Sequence, residues 1–166
     1  MNKKIIVIGI LICLVLVGMN VTAGAPKIYK TKLWEKDSPN GSIVPRGAWG
    51  NFIAMEKSMV VGYSRATPFL SKTIYLYKVE VNNLQPSTTY VLINHNSKED
   101  MPMAYWFSYI STDAGGDASV SGILNKPPVG KIWVVLASDF DTSEPLKGKF
   151  IAWNPTEYLF EDVVLH

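Results

Sequence analysis

The chain has 166 residues, 48% of them hydrophobic and 11% aromatic, with 16 basic against 14 acidic side chains. Lys3 and Lys4 account for the whole excess, so the rest is formally neutral and offers a nucleic acid no electrostatic footing. Cys13 is the one cysteine and lies in an N-terminal apolar run, which leaves the remainder without a disulfide, a zinc thiolate site or a Cys nucleophile.

Met1-Asn2-Lys3-Lys4 is a short basic start, and residues 5–19 carry no charge. Small residues follow, through Ala23-Gly24-Ala25 to Pro26. Basic start, apolar middle and small-residue exit are the three parts of a secretory signal peptide. A membrane-spanning helix needs about 20 apolar residues. The run is shorter, so cleavage is expected in preference to an uncleaved anchor formed by 5–19. Cutting after Ala25 would leave Pro26 first, which is hard to cleave; cutting after Val21-Thr22-Ala23 leaves Gly24 first and is preferred. No lipidation box precedes Cys13. The expected organisation is a signal peptide over 1–23 and a single domain over 24–166, secreted or held at the cell surface. A secreted domain without disulfides points to a prokaryotic source, and its length suffices for a self-supporting core.

Scattered prolines and glycines, frequent aromatics and no long amphipathic helical pattern predict an all-β domain. Residues 27–35 alternate and read as a first strand, placed at a sheet edge by Lys30 and Lys32. Asn40-Gly41-Ser42 is a turn and also a glycosylation sequon. Residues 48–55 and 59–63 are two apolar β-like runs. Over 74–81, Tyr75, Tyr77, Val79 and Val81 share an apolar face, and Ile74, Leu76, Lys78 and Glu80 share the other. Pro86 marks the connection to a second run over 89–93, so that the two form a central pair. Residues 94–103 form a polar loop containing His95, the kind of connection that carries function. Residues 104–111 put Tyr105, Phe107 and Tyr109 on one face and Trp106, Ser108 and Ile110 on the other. A turn over 112–117 returns to 118–124 as a hairpin. Residues 131–137 are apolar on both faces, as in a central strand. Residues 139–148 read as an acidic loop, and 150–153 and 158–165 as the last strands.

Leu84-Gln85-Pro86-Ser87-Thr88-Thr89-Tyr90 spells L-x-P-x-T-x-Y. This pattern resembles the strand-connecting corner of fibronectin type III and other immunoglobulin-like sandwiches. The resemblance implies an antiparallel β-sandwich with Tyr90 bonding back to upstream backbone and Leu84 plugging the core. Thr112-Asp113-Ala114-Gly115-Gly116 with its following strand resembles a hairpin of secreted prokaryotic β-sandwiches. Both signatures concern fold, and fold alone does not give function.

Acidic turns can supply the six to eight oxygens that calcium takes. Asp113 and Asp117 in one turn, and Asp139, Asp141 and Glu144 in another, are the candidates, although Asp and Ser are also simply good turn formers. His95 and His166 are the only histidines, and no nucleophile elbow surrounds a serine. The chain therefore reads as a non-enzyme without a required cofactor. Five tryptophans and Tyr-rich strands exceed what a domain of this size must bury, and such rings stack on sugars or anchor protein partners. Tyr105, Trp106 and His95 are the candidate ligand-binding residues, with Trp133 assigned to the core. The expected role is binding or structure at or outside the cell surface, with a cell-surface protein or a glycan as partner. The alternatives are a carbohydrate-binding module and, behind it, an extracellular hydrolase using the acids.

Overall fold

The computed structural model describes residues 25–36, 42, 47–62, 70–95 and 103–166, and side chains within these outside 59–62 and 70–71. The Asn40 sequon, residues 96–102 of the expected polar loop and residues 1–24, which include the expected signal peptide, lie outside the described residues. Within them the protein is all-β, with no α-helix. Its strands are β1 (Ile28–Trp34), β2 (Trp49–Gly62), β3 (Leu70–Asn82), β4 (Thr89–His95) and β5 (Met103–Ser111). They continue with β6 (Ala118–Leu124), β7 (Lys131–Leu136), β8 (Phe140–Glu144), β9 (Lys147–Phe150) and β10 (Leu159–Glu161).

All ten strands form one antiparallel ladder in the order β6-β3-β2-β1-β10-β7-β4-β5-β9-β8. The ladder curls, so that distant members face each other. Phe107 of β5 meets Tyr77 of β3 edge-on at 5.2 Å and Phe52 of β2 at 6.4 Å. The concave side encloses a core of Leu33, Phe52, Tyr77, Val79, Val81, Tyr90, Leu92, Ile132, Val134 and Leu159. The convex side of β4, β7 and β10 carries a second core of Val91, Ile93, Trp133, Val135 and Phe160, closed by Phe140 and Tyr158. β7 is buried on both faces because it lies between β10 and β4 with a core on each side, as its unbroken apolar run predicts.

Several expectations change. β1 is not an edge strand: it lies between β2 and β10. Its lysines are tolerated because Lys30 and Lys32 point to solvent while Tyr29, Thr31 and Leu33 point inward. The two apolar runs after Ala48 are one strand of 14 residues, paired with β3 through Glu56, Lys57 and Ser58. β3 and β4 are not a pair: β3 lies between β2 and β6, and β4 between β5 and β7. β5 and β6 are likewise no hairpin, since β6 pairs with β3. The acidic stretch after Asp139 is not a loop but β8 turning into β9. The strand expected over 150–153 ends at Phe150, and only Leu159–Glu161 of the last segment is strand.

The two connections that leave one half of the sheet for the other lie side by side and stitch together. Leu84 N–H donates to Gly116 C=O at 3.0 Å, Ser87 N–H to Asp113 C=O at 2.9 Å, and Thr112 N–H to Thr88 C=O at 3.0 Å. The buried Thr112 hydroxyl donates to Gln85 C=O at 2.6 Å and accepts from Thr88 N–H at 3.0 Å. Gly116 has φ +86°, and a Cβ there would sit 2.1 Å from Leu84 O. Only glycine suits both that backbone conformation and that approach.

Candidate binding face

The convex face gathers aromatic rings because neighbouring strands aim them the same way. Trp133 of β7 and Phe160 of β10 are register partners, 5.2 Å apart and nearly edge-on. The end of β9 and the segment after it fold back over them, bringing Phe150 to 6.2 Å and Trp153 to 6.0 Å from Trp133. Trp153 is the outermost ring. It packs on Phe150 at 5.0 Å and Tyr158 at 5.6 Å, yet 44% of its surface stays exposed. Ile151 beside it in sequence is 63% exposed. Lys36 Nζ lies 4.3 Å from the Phe160 ring centre, and Lys131 Nζ lies 5.8 Å from that of Trp133.

A polar network fixes this covering segment. The buried Asp139 carboxylate accepts from Tyr158 O–H at 2.6 Å and from Asn154 Nδ2 at 2.9 Å. Its main-chain carbonyl accepts from Ile151 and Ala152 N–H. Tyr158 Oη in turn accepts from Asn154 N–H at 3.0 Å. Burial first, and then the bond to Asp139, raise the Tyr158 phenol well above its ordinary pKa. On the other side of the cluster, Glu161 is buried and accepts from the Trp133 indole N–H at 2.6 Å. Burial raises its carboxyl pKa, opposed by its own backbone amide, the Trp133 indole and the charges of Lys131 and Lys36.

The candidate residues from sequence fall in different places. His95 is not in a surface loop. It ends β4, is buried, and stacks on Trp133 at 5.4 Å and 11°. Its address follows from the β4 register, which continues through His95 opposite Lys131. Tyr105 is exposed on β5 opposite Lys147. Trp106 is half-buried against the convex core; its indole N–H donates to Glu144 C=O at 3.0 Å, and its ring lies 5.5 Å from Tyr109. Tyr109 is exposed, with its hydroxyl 2.5 Å from that of Thr142.

Trp106 thus shares a face with Tyr109, while Phe107 packs into the concave core with Ile110. The cause is a β-bulge. Trp106 pairs with Ile93 and Ser108 with Leu92, which leaves Phe107 unpaired and reverses the alternation beyond it.

The acids predicted for calcium are not assembled. Among the described residues no three His, Cys, Asp or Glu side chains converge as metal ligands. Asp113 accepts from Gly115 N–H at 2.7 Å and Asp117 N–H at 3.0 Å, and these bonds hold its pKa below the usual carboxylate range. Asp117 accepts from Asn83 N–H. Asp141 accepts from Ser143 N–H and is likewise lowered. Glu144 serves Trp106 through its backbone carbonyl, and Asp139 belongs to the Tyr158 network. At the corner, Tyr90 Oη accepts from Gln85 N–H at 3.1 Å, Leu84 is buried, and Pro86 is exposed at the turn.

Glu35 and Glu157, which no sequence motif marks, line an open cleft of about 210 Å³ beside that corner. Both carboxylates are engaged, Glu35 with Ala48 N–H at 3.2 Å and Glu157 with the Gln85 amide at 2.5 Å. Comparison with family models, with curated proteins and with solved structures found no match to the chain.

Proposed function

We propose that this chain is an exported, non-enzymatic β-sandwich domain of immunoglobulin-like topology that binds a partner at or outside the cell surface through its convex aromatic face. The observation that carries the reading is Trp153, gripped by packed rings on one side and 44% exposed on the other. Rigid, half-exposed tryptophans lose little entropy on contact and serve as binding anchors. The Tyr90 corner bond and the crossing of the two stitched connections support the sandwich topology. The N-terminal pattern of residues 1–23 supports export.

The test is binding to cell-envelope material by the protein and by Trp153→Ala. Loss of binding at a temperature where the variant is still folded supports the reading. A glycan is the second reading, favoured by the Trp106–Tyr109 pair with the Thr142 hydroxyl beside it. On that reading, soluble envelope polysaccharide alone quenches tryptophan fluorescence, and Tyr109→Ala weakens the response.

A further inference from the structure

The ladder has two ends, and they are defended unequally. β8 is five residues long, is broken by a register shift and carries Asp141 and Glu144. β6 is seven residues, Ala-Ser-Val-Ser-Gly-Ile-Leu, with no charge, no proline and unbroken pairing to β3 from Ala118 to Leu124. Among the described residues no strand is hydrogen-bonded to its other edge. Ser119, Ser121 and Ile123 are exposed, Ile123 by 57%. A straight, uncharged edge presents free N–H and C=O groups to any strand that reaches it.

We propose that the β6 edge is a self-association site at which a second copy of this chain adds its own β6, antiparallel, to make one sheet through two molecules. The strand's own sequence favours a second copy as occupant. Full overlap of two seven-residue strands puts the two-fold axis at Ser121. Ile123 of one copy then lies opposite Ser119 of the other, Leu124 opposite Ala118, and Val120 opposite Gly122. Every large side chain faces a small one, and no like charges meet. Pairing two β8 edges would instead bring Asp141 and Glu144 of one copy near those of the other. The contact is isologous and closes as a dimer, leaving the convex aromatic face free.

The test is sedimentation velocity on the purified full chain, in detergent if it retains residues 1–23. A concentration-dependent dimer is expected. Ser119→Lys with Ile123→Lys, both at exposed positions and opposed to each other across the two-fold axis, is expected to raise the dimer dissociation constant by about tenfold or more with the fold retained, because within one copy they lie opposite Glu80 and Leu76 and meet no like charge. The Cα atoms of directly opposed residues lie about 4.5–5.5 Å apart, within the Cα span of a disulfide. Ser121→Cys in a Cys13→Ser background is therefore expected to cross-link two copies on mild oxidation. A monomer at the highest concentration reached would overturn the proposal. So would a dimer indifferent to the lysines, or one in which Cys at 121 does not cross-link.

Discussion

Tyr158 shows how much of the convex face hangs on one hydroxyl. Its O–H donates to the buried Asp139 carboxylate and accepts from Asn154 N–H, so it joins the start of the covering segment to its end. Tyr158→Phe keeps the ring, takes the acceptor from Asn154 N–H, and leaves the buried Asp139 carboxylate only the Asn154 side-chain amide and the Ser138 hydroxyl. A loss of about 1–3 kcal/mol is expected in chemical denaturation, with weaker near-ultraviolet tryptophan signal from Trp153. Glu161 makes the opposite kind of prediction. Its folded pKa is raised by burial, so its protonated form suits the native state. Its contribution to stability is full below the ordinary glutamate pKa and is lost as pH rises through the raised folded value. Glu161→Gln keeps an acceptor for the Trp133 indole and removes the titration. In paired thermal melts the variant should gain on the parent between mildly acidic and neutral pH, and the gap should close toward pH 4. A gap that widens on acidification would contradict the assignment. Neither residue was legible as special in the sequence: a Tyr and a Glu in a strand-like stretch give no sign of which buried group they will meet.

At the scale of elements, the corner from Leu84 to Tyr90 and the turn from Thr112 to Asp117 were readable as turns because Pro86, Gly115 and Gly116 announce themselves. Their mutual bonding was not readable, because it joins segments far apart in the chain. Local pattern suggests that neighbouring strands pair, and here both connections cross instead. Gly116→Ala tests the stitch: the positive φ and the close Leu84 carbonyl predict a loss of more than about 1 kcal/mol, measured by urea titration. An unchanged midpoint would mean that the connections move independently. The bulge at Phe107 is a second limit on reading from pattern. A period of two assigns Tyr105, Phe107 and Tyr109 to one face, and one unpaired residue is enough to bring Trp106 and Tyr109 together instead. Strands with steady alternation were read well: Tyr75, Tyr77, Val79 and Val81 of β3 are all buried together. The lysines of β1 misled because solvent lies beside a sheet's face as well as its edge.

At the scale of the whole molecule, the curl of the ladder decides what each surface can do. The concave side is spent on the core. The convex side needs a second cover, which β8, β9 and the segment after them provide. That cover places Trp153 outermost, and it lies beyond the reach of sequence alone because it depends on three strands and a fold-back. Tyr105 and Trp106 were found as aromatic candidates, but the larger cluster around Trp133 and Trp153 was not. His95 belongs to that cluster as a buried stacking partner of Trp133. Trp153→Ala removes a ring that packs on Trp133, Phe150, Tyr158 and Phe160 as well as its exposed face, so a stability loss of about 1–3 kcal/mol is expected. On the proposed function, binding falls even at temperatures where the variant is still folded.

The most direct measurement is therefore co-sedimentation of the purified protein with cell-envelope material from its source organism, beside Trp153→Ala and Tyr109→Ala at a temperature where all three are folded. The parent is expected to pellet with the envelope and Trp153→Ala to bind at least about tenfold more weakly, a difference of about 1.4 kcal/mol. Equal binding by the parent and Trp153→Ala, or no binding by the parent at all, would contradict a binding role for the convex face.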